Sequence, residues 1–231
     1  MRAVRRDARL RVSALAVAVA VVVVACGEPR SIVATSDIDE SVVRIAGTAC
    51  LKPILATGFV VADGLVVTVA HAIAGAEDDL RVIDALGAVH DVEVVAFDDQ
   101  LDIAVMSVEG INGTAIRPAN ARPGEAGVIT AMVAGSGIDF IEYEVIRIVN
   151  ARSGDIYDVG RVERTAIDVL TTAKRGASGA PLLNDAADYV GMVFAISRDR
   201  ENGVYALASS EIVDYLASLP TGIPAERGRC R

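Results

Sequence analysis

The 231-residue chain has no tryptophan, 4% aromatic residues, two histidines and three cysteines. No stretch interleaves basic with aromatic residues, and the formal charge is −9; an acidic body of that kind does not bind nucleic acid or anionic lipid by charge. Two separated histidines and no paired-cysteine spacing make no metal site, so neither a metal nor a cofactor is expected. There is no internal repeat and no low-complexity tract. What is present is a large aliphatic fraction, with 52% hydrophobic residues overall, enough to fill a core built mainly of Val, Ile, Leu and Ala.

The first 25 residues differ from the rest. Arg2, Arg5, Arg6, Arg9 and Arg11 stand against Asp7, a net +4, which leaves −13 on the remainder. The basic run precedes an apolar run from Val12 to Ala25. A basic segment, a short apolar segment and small residues before a cut form the pattern of an export signal. The apolar run is short for a spanning helix of about 20 residues. Val23-Val24-Ala25-Cys26 resembles a bacterial lipobox, which would make Cys26 the lipidated first residue of the mature protein; an uncleaved signal anchor is the alternative. Residues 26–40 then read as a tether and 41–231 as the exported domain, held to the membrane through its N-terminus only. No segment for a C-terminal peptide-binding module is expected after Arg231.

With Cys26 lipidated, Cys50 and Cys230 remain, an even pair in an exported protein. That favours a disulfide between them over two free thiols. A loop of that length gives roughly 4–5 kcal/mol in the chain-entropy account.

Along the domain, short β-branched runs recur between turn residues. Strands are expected over 41–50, 54–62, 65–69, 80–84, 89–97, 101–108, 127–134, 140–149, 161–170, 189–197 and 204–208. Asp63-Gly64 joins two of them, a strong hairpin signal in which both turn positions favour positive φ. In the run from Val89, polar and apolar residues alternate and put His90 on the solvent side. Residues 109–122, rich in Pro, Gly and Asn, read as the connection between two halves. One helix is expected over 209–219, capped by Ser209 or Ser210, with Ile212, Val213, Leu216 and Leu219 on its apolar face. The spacing fits a sandwich or barrel and not βαβ units.

Three segments carry candidate chemistry. Gly176-Ala177-Ser178-Gly179 presents a serine on a tight turn. Thr68-Val69-Ala70-His71 supplies an imidazole after the hairpin. Asp102-Ile103-Ala104-Val105 sets a carboxylate at the start of an apolar strand. A serine hydroxyl needs an imidazole to take its proton and an acid to hold that ring in the right tautomer. The order His, Asp, Ser with these flanks resembles the trypsin-like (chymotrypsin-fold) serine proteases.

That resemblance implies an all-β protein of two six-stranded antiparallel β-barrels with a C-terminal helix. It also implies a site in the cleft between the barrels. His71 would be the base, Asp102 its orienting acid, Ser178 the nucleophile, and the N–H groups of Gly176 and Ser178 the oxyanion donors. Thr172 would lie near the base of the primary substrate pocket and Phe194, Ala195 and Ile196 along its wall. No acid stands at the base position, so a small or apolar substrate side chain is expected there.

A closer resemblance, to membrane-anchored acid-resistance proteases of this family, covers roughly residues 41–230. It rests on the segments 41–50 and 58–61, on Ala70-His71, on the segments 102–105, 153–157 and 176–182, on Val193-Phe194 and on Gly228-Arg229-Cys230. It implies the Cys50–Cys230 bridge.

Two departures stand out. Ala177 replaces the usual Asp or Asn before the serine, which removes the partner for a newly cut N-terminus. Ala180 replaces a glycine, and would be strained by about 1 kcal/mol if its φ were positive. The expected function is a monomeric, exported, membrane-tethered serine endopeptidase acting on protein or peptide substrates. The alternative is a protease-fold lipoprotein that no longer catalyses and acts as a binding module.

Overall fold

A computed structural model of the chain describes residues 36–133, 137–173, 175–197, 200–219 and 225–231. The expected export signal, Cys26 and the expected tether up to residue 35 lie outside the described residues.

A short helix α1 (Ser36–Ser41) leads into β1 (Val42–Ala46). The strand expected over 41–50 breaks at Gly47, whose φ is 141°; a Cβ there would lie 2.9 Å from the Leu80 backbone. The chain then makes a separate two-stranded ribbon, β2 (Thr48–Ala49) and β3 (Lys52–Pro53). There follow β4 (Ala56–Ala62), β5 (Leu65–Thr68), the single turn α2 (Ala70–Ile73), β6 (Arg81–Ile83), β7 (Val89–Asp98) and β8 (Ile103–Val108). The second half holds β9 (Ala126–Val133), β10 (Gly137–Ser153), β11 (Val162–Thr171), β12 (Pro181–Leu183), β13 (Tyr189–Ile196), β14 (Gly203–Ala208) and the helix α3 (Ser209–Ala217).

Each half closes into a six-stranded barrel, in the order β1-β4-β5-β8-β7-β6 and β10-β11-β14-β13-β12-β9. Neighbouring strands in both are antiparallel. Closure removes exposed sheet edges, the usual liability of an all-β chain. The aliphatic wealth of the sequence fills both interiors. Val43, Ile45, Val60, Val66, Val82 and Met106 pack the first barrel; Ile129, Val145, Ile167, Val169, Leu182 and Val204 pack the second. A third cluster joins them, with Val42, Phe59, Val67, Ile103, Met132, Tyr189 and Leu207 all buried. Phe59 and Tyr189 meet in it at 5.0 Å between ring centroids. This joint fixes the two halves against each other, and the cleft over it is where a site can form.

The local expectations met mixed outcomes. The Asp63-Gly64 hairpin forms, but only Gly64 takes positive φ (67°), and β4 and β5 shift register between Val60 and Ala62. His90 is not a free solvent-side histidine. Its Nε2 lies 3.1 Å from Asp84 Oδ2 and its Nδ1 3.2 Å from the Glu109 carbonyl, with the side chain only 12% exposed. Neither serine caps α3: Ala208 holds the cap position with no side-chain bond, and Ser209 Oγ donates to the Ala119 carbonyl at 2.6 Å. Ile212 is buried, and Leu216 and Leu219 pack beside it. Val213 is exposed, and Tyr215 takes its place against the core. The short strand β12 went unread because Pro181 opens it.

Candidate active site

His71 sits on α2, whose neighbours Ala70 and Ile73 are fully buried and anchor the turn in the first barrel. Asp102 stands at the entry to β8 in a left-handed conformation, φ 61°, and is 5% exposed. Aspartate is among the few non-glycine residues that tolerate such a backbone. Its carboxylate grips His71 twice: Oδ1 accepts the His71 backbone N–H at 2.8 Å and Oδ2 lies 2.7 Å from Nδ1. That arrangement fixes a proton on Nδ1 and leaves Nε2 as the free basic nitrogen. The pair spans the two segments singled out from sequence.

Behind it lies a residue the sequence did not flag. Arg164, 3% exposed, reaches from β11 to the Leu101 carbonyl at 3.3 Å, immediately before Asp102. Its Nη2 also donates to Ser153 Oγ and to the Gly154 carbonyl, both at 3.0 Å, and its guanidinium lies 5.2 Å above the Phe194 ring. Burial pulls the Arg164 guanidinium below its ordinary value, while Asp102, Asp98, Asp155 and Glu211 pull the other way.

Ser178 lies in the turn between β11 and β12, half-buried. The left-handed positions of this turn are Gly176 (φ 100°) and Gly179 (φ 82°). Ala180 is not among them, so the strain anticipated for it does not arise. Ala180 is fully buried and exchanges backbone bonds with Val193 and Ala177, whose own side chain is buried.

Thr57 of β4 clamps the turn from the first barrel. Its Oγ1 donates to the Gly176 carbonyl at 2.9 Å, and its N–H donates to the Ser178 carbonyl at 2.9 Å. Both carbonyls are thereby committed. Among the described residues, the N–H groups of Gly176 and Ser178 donate to no protein acceptor.

His71, Gly176 and Ser178 line one cleft of about 390 Å³. Its walls are Ala49 and Cys50 of the ribbon, residues 52–55, Ala72, Ala74, Arg175 and Arg231. Cys50 and Cys230 are bridged, with Cα atoms 5.7 Å apart. The bridge runs beside Gly75, just after α2, where φ is 71° and any Cβ would lie 2.7 Å from Cys50 Sγ.

The four residues expected to form the primary pocket are not part of this cleft. Thr172 is exposed just past β11; Phe194 and Ala195 are half-buried and Ile196 is 56% exposed at the end of β13. They remain adjacent to the serine turn through Val193, whose carbonyl accepts the Gly179 N–H at 2.8 Å.

A double barrel with a carboxylate-held imidazole and a glycine-flanked serine on one cleft defines the chymotrypsin-like class. Residues 56–192, more than half of the chain, match the trypsin-like peptidase domain. The chain belongs to that family.

Among curated proteins it is similar to the serine protease Rv3671c of Mycobacterium tuberculosis strain H37Rv, 26% identical over 198 residues that cover 83% of this chain. The match spans 49% of that relative, so this chain corresponds to about half its length. Among solved structures it is similar to the active form of the Rv3671c protease, with a TM-score of 0.81 at 26% identity, covering 87% of this chain and 89% of that one. The inactive form superposes at a TM-score of 0.71, at 24% identity, covering 83% and 94%.

Thr57 offers a direct check on the turn. Thr57→Val removes the hydroxyl that donates to Gly176 and that accepts the Met132 N–H at 3.0 Å. Two buried backbone groups lose their partners, at about 1–3 kcal/mol each. The expected result is a loss of about 2–6 kcal/mol by denaturant unfolding, together with reduced activity, while Thr57→Ser retains both.

Proposed function

We propose that the chain is an exported, membrane-tethered endopeptidase that cleaves peptide bonds through an acyl-enzyme on Ser178. His71 Nε2 takes the proton of the Ser178 hydroxyl as its Oγ attacks the substrate carbonyl. Asp102 holds the ring in that tautomer and stabilises the imidazolium. The N–H groups of Gly176 and Ser178 receive the developing oxyanion, a role worth about 2.7–4 kcal/mol per donor. The imidazolium then protonates the leaving amine, and a water activated by the same ring hydrolyses the acyl-enzyme.

The observation that carries this reading is the pair of hydrogen bonds that the Asp102 carboxylate accepts from His71, on the wall of the cleft that Ser178 also lines. The uncommitted N–H groups at 176 and 178 support it, because a turn with its carbonyls facing the cleft could not receive an oxyanion. The tethering rests on the signal and lipobox pattern of residues 1–26. Among the described residues no helix is long and apolar enough to cross a membrane. Thr172, Phe194, Ala195 and Ile196 would receive a small or apolar side chain on the acyl side, and the working unit would be the monomer.

The test is hydrolysis of a mixed peptide library by the full chain and by Ser178→Ala. Cleavage is expected from the first and a drop of at least a thousandfold in the second. A folded wild-type chain that cuts nothing, or a Ser178→Ala variant that cuts equally well, contradicts the proposal.

A further inference from the structure

The cleft beside Ser178 carries charge of one sign in a chain that carries mostly the other. Acidic residues outnumber basic ones 31 to 22 in the whole sequence. The residues lining the cleft include Lys52, Arg175 and Arg231 and no carboxylate side chain. All three basic residues are exposed, and among the described residues none of them makes an ion pair.

Three acids that follow α2 each have a protein partner. Glu77 accepts the Leu51 N–H at 3.3 Å, and Asp79 accepts the Thr48 N–H and hydroxyl at 2.9 and 2.8 Å. Asp78 lies 3.7 Å from Arg227 Nη1. Three exposed basic side chains along one concave wall raise the local concentration of anions.

Which part of a substrate meets this wall follows from the serine turn. The acyl side is assigned to the residues running on from Val193 along β13, and these do not line the cleft. The cleft is built instead from the β2–β3 ribbon, residues 53–55, α2 and Arg175, on the first-barrel side of Ser178. It therefore receives the chain on the other side of the scissile bond, the part that departs with the leaving amine.

We infer that this wall selects substrates with Asp or Glu within the first three positions C-terminal to the cut, with Lys52 and Arg175 as the specificity-determining residues and Arg231 adding to their field. The inference rests on the endopeptidase reading above and deepens it to a substrate class. Exposed ion pairs are worth a few-fold each, so two such contacts yield a preference on the order of tenfold. The preference falls with ionic strength, since charges more than about 8 Å apart are screened at physiological salt.

The experiment is cleavage-site profiling of a mixed peptide library by the full chain, followed by kcat/KM on two peptides that share the acyl-side sequence and carry either Glu or Lys after the cut. A fluorophosphonate, which phosphonylates an activated serine with loss of fluoride, is used alongside to report the reactivity of Ser178. Enrichment of Asp and Glu after the cut is expected, with a ratio on the order of tenfold that falls towards unity in 1 M NaCl. Lys52→Glu combined with Arg175→Glu is expected to reverse the ratio. The wild-type profile and its salt dependence decide the matter even if that variant fails to fold.

A chain that takes up the probe at Ser178 and cleaves peptides, but with no acidic enrichment after the cut, overturns this inference and leaves the endopeptidase reading standing. A folded chain that cleaves nothing overturns both.

Discussion

Asp102→Asn is expected to lower kcat by about 10⁴ while leaving the fold intact. The reason lies in the two bonds that one carboxylate makes. Oδ1 accepts the His71 backbone N–H and Oδ2 faces Nδ1. An amide presents one oxygen and one NH₂. If the oxygen keeps the backbone bond, the NH₂ faces Nδ1 and forces the proton to Nε2, which then cannot accept one from Ser178. If the oxygen faces Nδ1, the NH₂ is set against the backbone N–H and the α2 turn loses its anchor.

Stability should change little, because asparagine also tolerates the left-handed backbone found at φ 61°. Steady-state hydrolysis together with thermal unfolding separates the two effects. A variant retaining more than a tenth of wild-type kcat would show that the Asp102–His71 pair is not part of the chemistry. Arg164 donates to the Leu101 carbonyl just before this aspartate.

Gly179→Ala is expected to unfold or severely destabilise the protein, by about 3 kcal/mol or more, combining overpacking with a left-handed backbone. The residue after the serine lies against the first barrel so closely that a Cβ would fall 2.0 Å from the Thr57 carbonyl and 2.5 Å from Thr68 Oγ1, at φ 82°. Neither neighbour can retreat. The Thr57 carbonyl accepts the Thr68 hydroxyl at 2.6 Å, and both threonines are fully buried. Chemical denaturation measures this directly. Ala180→Gly is the control, since Ala180 needs no special backbone, and it should cost about 1 kcal/mol or less. A Gly179→Ala variant of wild-type stability would mean that the serine turn does not dock on β4 as described.

The outline of this site could be read in the chain because its parts are local. A glycine-flanked serine, a histidine after a hairpin and an aspartate before an apolar strand each carry a signature within a few residues. The barrels were legible for the same reason, as short β-branched runs separated by turn residues.

What escaped notice acts across the fold. Thr57 is one polar residue in an apolar strand, and nothing near it in sequence says that its hydroxyl meets Gly176, 119 positions away. Arg164 reads as a charged residue on a strand face; only the packing of the second barrel against the first sets it on the Leu101 carbonyl. His90 misled because alternation places a residue on the outer face of a strand without saying what covers that face, here Asp84 and the Glu109 carbonyl. Ser209 looked like a helix cap, but its hydroxyl is drawn to a carbonyl 90 residues back. Ala180 looked strained because the sequence shows that a glycine is missing without showing where positive φ falls.

The most direct test of the account is where a fluorophosphonate attaches. The full chain is treated at neutral pH, digested, and mapped by peptide mass spectrometry. A single adduct on Ser178, lost in Ser178→Ala and in His71→Ala, is the predicted result. Folded protein that takes up no adduct, or takes it up equally without His71, would contradict the claim that this imidazole activates that hydroxyl.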